Sequence, residues 1–115
     1  MAELAIEGDD LVVRLSTAEK LEAVHGEVRV PLDSVKSVEV LDDALSAIHG
    51  IRVGTGIPGS VAIGTFTSRT AKIFAVVHHD TPRGVRVTLG GDHFDELIVG
   101  CPHPEIVAES LRQPA

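Results

Sequence analysis

Apolar and polar residues alternate from the start of the chain. Leu4 and Ile6 are flanked by polar neighbours, Gly8-Asp9-Asp10 interrupts, and Leu11 to Leu15 resumes the apolar run. A period of two with turn residues in the gap predicts a hairpin. The period changes in "STAEKLEAVHG". Ser16 and Glu19 have the S-x-x-E spacing of a capping box, Leu21 and Val24 share a helical face, and Gly26 supplies a stop. The segment predicts a helix of about two turns. Val28 and Val30 then alternate with charges until Pro31, which cannot donate to a ladder and marks an edge or a bend. Residues 36–41 predict a strand, with Val38 and Val40 on one side. "DDALSAIHG" predicts an acidic cap, one helical turn and a stop at Gly50. The endings "AVHG" and "AIHG" look alike, but the likeness ends within a few residues and reads as shared helix-stop chemistry rather than a repeat.

From residue 61 the pattern is that of an antiparallel meander. "VAIGTFTS", "KIFAVVHH", "GVRVTLGG" and "ELIVGC" are four strand candidates, separated by "SRTA", "DTPRG" and "GGDHFD". Val85, Val87 and Leu89 fall on one face, Arg86 and Thr88 on the other. Gly64 within its strand predicts a bulge or tight bend. The last segment, about 104–112, predicts a helix. Pro104 suits its first position, Glu105 and Arg112 suit its two ends, and Ile106, Val107 and Leu111 form a stripe that needs cover. Residues 1–115 therefore predict one mainly β (α+β) unit. It has seven or eight short strands in a small antiparallel barrel or sandwich, with the terminal amphipathic helix as its plug.

Composition fits this picture. Sixteen valines, three phenylalanines and no tryptophan or tyrosine leave an aliphatic interior, and valine favours a pleated surface. The net charge of −7 is uneven: residues 1–43 hold eleven acids against four bases, and the remainder six of each. An acidic first third repels nucleic acid and anionic lipid, and aromatic stacking platforms are absent. Nucleic-acid partners are not expected. Cys101 is the only cysteine, which excludes an internal disulfide and fits a reducing cytosol. "MAELAIEGDD" has no basic start and no long apolar run, and no stretch reaches the ~20 apolar residues of a membrane span. A cytoplasmic location without membrane insertion is expected.

Residues Gly54, Thr55, Gly56, Ile57, Pro58 and Gly59 hold the literal spacing G-x-G-x-x-G. A dinucleotide loop needs a helix to begin at the third glycine, so that its N-terminus meets the pyrophosphate. Here "SVAIGTF" follows, which opens a strand, and Pro58-Gly59 suits a type II turn. The stretch predicts a turn between strands, with a small-anion site on its backbone amides as the alternative. The six histidines lack metal-ligand spacing: His78 and His79 are adjacent on a strand and point to opposite faces. Neither Cys101 nor any serine lies in a nucleophile signature, and Asp42-Asp43 and Asp95-Glu96 suit turns and caps. No cofactor or metal is expected. Arg69, Lys72, Arg83 and Arg86 lie in a stretch where Asp80 is the only acid. They predict either a solvated, protected strand edge or a local basic rim for an acidic partner.

Three stretches, "VPLDSVKSVEV", "GTGIPG" and "IVGCPHPEIVAESLRQ", together resemble the bacterial pleckstrin-homology-like domains, in particular small actinobacterial ones with a "GTGIPG" loop. The resemblance runs from about Leu4 to Leu111. It implies a strongly bent antiparallel barrel closed at one end by the helix, and a non-enzymatic binding or assembly module in which some members oligomerise. Lipid-binding relatives place a basic cluster in the first hairpin loop. Here that loop is "EGDD", so phosphoinositide binding is not expected. The leading expectation is protein–protein interaction or self-assembly through the 50–60 loop and a strand edge near Arg83–Val87. A small-molecule or anion-binding barrel is the second reading, and a small hydrolase using Cys101 or His78 the third.

Overall fold

The computed structural model describes residues 3–23, 26–48, 50–57, 61–90 and 93–112. His25, His49, Pro58 and Gly59, which figure in the sequence reading, lie outside these. β1 (Glu3–Glu7) and β2 (Asp10–Arg14) form the expected hairpin, with Gly8 at φ 62° in its turn. α1 (Thr17–Ala23) follows, then β3 (Val28–Pro31), which pairs with β2 and completes a three-stranded sheet. Its burial alternates as read: Val28 and Val30 are inside, and Pro31 terminates this edge strand.

The second sheet has six strands in the order β4-β8-β9-β7-β6-β5. These are β4 (Val35–Leu41), β5 (Ile51–Ile57), β6 (Val61–Thr67), β7 (Lys72–His78), β8 (Gly84–Leu89) and β9 (Glu96–Gly100). All four strands expected after residue 61 form, but they are not a meander. β9 enters between β7 and β8, antiparallel to β8 and parallel to β7. The reason is visible in burial. β7 and β9 are apolar on both faces and need cover on both, as strands at the centre of a sheet do.

Two apolar clusters supply that cover. On one face Ile63, Phe74, Val76, Val85, Val87, Leu97 and Val99 meet Leu11, Val13, Val28 and Val30 of the three-stranded sheet and Ala108 and Leu111 of α2 (Pro104–Arg112). On the other face Phe66, Ile73, Ala75, Val77 and Ile98 lie under a strap of Leu41, Ala44, Leu45, Ala47 and Ile48. The strap contains a short 3-10 turn at 45–47, preceded by Ala44 with no side-chain cap, so the expected acidic cap is not made. Ala44 is instead anchored through its N–H to the Pro82 carbonyl, 2.8 Å.

The protein is thus mainly β with a C-terminal helix. The two sheets share no hydrogen-bonded ladder and do not close into a barrel, and among the described residues there are nine strands rather than seven or eight. α2 has the expected bounds but buries Pro104, Ala108 and Leu111 and leaves Ile106 66% exposed. Leu21 of α1 is likewise outside. The described residues contain no helix long and apolar enough to cross a membrane.

Candidate interaction surface

Gly54, Thr55, Gly56 and Ile57 belong to a strand, not to a loop. β5 pairs with β6 along its whole length, Ile51 opposite Thr67, Gly54 opposite Gly64 and Ile57 opposite Val61. Glycine permits the central close approach. Gly64 has φ 140°, and a Cβ there would collide with the Val53 carbonyl. The expected bulge is absent, since the β5–β6 register runs without a slip. The chain re-enters a strand at Val61, where a dinucleotide loop requires a helix. Consecutive amides of a strand point to opposite edges, so those of Gly54 to Ile57 do not converge on an anion as a nest would.

β5 ends the six-stranded sheet, and among the described residues no strand pairs with its outer edge. Ile51 and Val53 share one face of β5 and are 81% and 57% exposed. The other face carries Arg52, Gly54 and Gly56. The Arg52 guanidinium lies along the strand and donates to the Gly56 carbonyl, 2.8 Å. Between Asp43 and Asp80 the sequence has no acid. β5 and β6 therefore form a largely apolar ribbon on a strongly acidic chain, with Arg52 as its one charge.

α1 packs beside this ribbon, on β5 and β6. Its capping box is made: Ser16 N–H donates to Glu19 Oε1 at 3.0 Å and Glu19 N–H to Ser16 Oγ at 3.2 Å. The second carboxylate oxygen of Glu19 meets His78 Nε2 of β7 at 3.1 Å. Glu19 is only 3% exposed. Burial works to raise its carboxyl, but the Ser16 N–H and His78 outweigh it and hold the group below its ordinary value of 4.5. The carboxylate is thereby committed to fastening α1 to the sheet.

The four cations of the expected basic rim are not brought together. Arg69 lies in the β6–β7 turn and Lys72 opens β7, with its ammonium 5.5 Å above the Phe94 ring and 2.9 Å from His93 Nε2. Arg83 is at the opposite end of the sheet, because β8 runs antiparallel to β9 and β9 parallel to β7. There it is paired with Glu105 and, at 3.4 Å, with Asp42. Arg86 is held by Glu39 at 3.1 Å and Glu96 at 3.3 Å. Acids distant in sequence neutralise both arginines. The expected strand edge near Arg83–Val87 is not an edge either, since β8 is flanked by β4 and β9.

Cys101 is partly buried, and burial together with the nearby Glu105 pushes its thiol above the ordinary 9.0. A nucleophilic thiol needs the reverse shift. Among the described residues no three His, Cys, Asp or Glu side chains are grouped to hold a metal ion.

The chain matches no known family, no curated protein and no solved structure in the comparisons made. The β5 edge has to be read from its own chemistry. Ile51, Arg52 and Val53 are the members that the glycine motif concealed. The signal that could have found them is the absence of acids from Asp43 to Asp80.

Proposed function

We propose that this chain is a non-enzymatic binding and assembly module whose interaction element is the outer edge of β5. The supporting observation is the exposure of Ile51 and Val53 on a terminal strand free of acids. Natural edge strands are blunted by lysines, prolines, inward charges or a covering element. The seven residues of β5 contain no lysine, proline or acid; Arg52 is their one charge, and α1 packs beside β5 without pairing with its outer edge. Such an edge receives an extended strand of another chain: backbone hydrogen bonds supply affinity, and alternate side chains supply selectivity. The pleckstrin-homology-like resemblance, with its helix-closed sheet and its oligomerising members, agrees with this reading.

The test is Val53→Lys, a change at a half-exposed position that adds an edge-blunting charge. The variant is expected to melt within a few degrees of the wild type and to weaken wild-type association, whether with itself or with a captured protein, by about tenfold. A folded Val53→Lys protein that keeps every association of the wild type overturns the proposal.

A further inference from the structure

We propose that the strand received by β5 is β5 of a second copy, antiparallel, with the two-fold axis through Gly54. This rests on the reading of β5 as the interaction edge and adds the identity of the occupant.

Charge is the first argument. Two copies, each at −7, repel wherever their acids meet. The three-stranded sheet presents Glu3, Glu7 and Asp10. The outer side of α2 presents Glu105 and Glu109, and the β4 edge of the large sheet presents Glu39 and Asp42. β5 contributes no acid to a self-contact, and a largely apolar strip whose one charge is Arg52 is self-complementary in a two-fold interface provided the two Arg52 side chains are kept apart.

Register is the second argument. An axis through Gly54 pairs all seven positions of β5: Ile51 faces Ile57, Arg52 faces Gly56, Val53 faces Thr55, and Gly54 faces its own copy. Within one strand the Arg52 side chain already lies over Gly56, occupying the space a Cβ there would need, and its guanidinium donates to the Gly56 carbonyl. The two-fold pairing sets the same two residues opposite one another across the interface, so each Arg52 exchanges the Gly56 carbonyl of its own strand for that of the other copy. It also holds the two guanidinium groups four positions apart along the strands, about 13 Å and beyond the screening length of physiological salt. An axis through Arg52 sets them directly opposite, which disfavours pairing. The result is one sheet continuous through both copies.

The experiment uses the full chain in a Cys101→Ala background. Sedimentation equilibrium should show a monomer–dimer equilibrium that Val53→Lys weakens about tenfold. Chains carrying Val53→Cys and Thr55→Cys, mixed and gently oxidised, should give the mixed disulfide in preference to either like pair. Directly opposed residues have Cα atoms about 4.5–5.5 Å apart, within disulfide reach. Preferential like-pair crosslinks, or a dimer indifferent to Val53→Lys, overturn the proposal. So does a chain that stays monomeric to about 1 mM. A monomeric chain that still captures another protein through a Val53→Lys-sensitive contact removes self-pairing and leaves the edge reading standing. A folded Val53→Lys protein that retains all association removes both.

Discussion

Glu19 shows how one residue joins local and distant structure. Its role as a cap was legible from the Ser16–Glu19 spacing, because a capping box is written within four residues. Its bond to His78 was not, because only folding brings β7 beside α1. Glu19→Ala removes charge-assisted bonds from a buried position, and should cost about 1.5–3 kcal/mol at neutral pH in urea denaturation. The folded carboxyl titrates below 4.5. Its stabilisation is therefore complete above that pH and is lost as pH falls through the lower, folded value. The gap between wild type and Glu19→Ala should be full at neutrality and narrow as the pH falls below 4.5. Cys101 gives a second expectation at this scale. With its thiol shifted upward by burial and Glu105, alkylation at neutral pH should be slow in the native protein and fast after denaturation, as thiol counting against time will show.

At the scale of elements, burial decided where pattern reading succeeded. Val85, Val87 and Leu89 alternate with Arg86 and Thr88, and the structure places them on the inner and outer faces as read. The same logic failed for β5. Its glycines resemble loop punctuation and lack β propensity, yet Gly54 and Gly64 let two backbones close on one another. Glycine here serves the ladder rather than the turn. Gly64→Ala would impose a strained φ and a clash with Val53, costing about 1–3 kcal/mol or more, and should also lower hydrogen-exchange protection along β5. α2 was read correctly in its bounds but rotated in its face. Leu111 and Ala108 are inside, whereas Ile106 faces out. Leu111→Ala should cost about 2–4 kcal/mol, measured by the denaturation midpoint, and Ile106→Ala well under 1 kcal/mol.

For the molecule as a whole, fold class and the closing helix were legible, and sheet order was not. Turn residues report only that the chain reverses. They do not report that β9 bypasses the outer side of β8 to settle beside β7. Nor does a run of cations report which distant acids will neutralise it, as Asp42, Glu39, Glu96 and Glu105 do for Arg83 and Arg86. The placement of β9 has a consequence for biosynthesis. Among the described strands, β9 alone lies between the β4–β8 ribbon and the β5–β6–β7 ribbon and pairs with both. A nascent chain that has cleared the ribosome only as far as Phe94 holds two separate ribbons, with β7 and β8 lacking the strand that lies between them. The large sheet completes only once β9 has emerged, and until then those naked flanks need shelter from neighbouring chains.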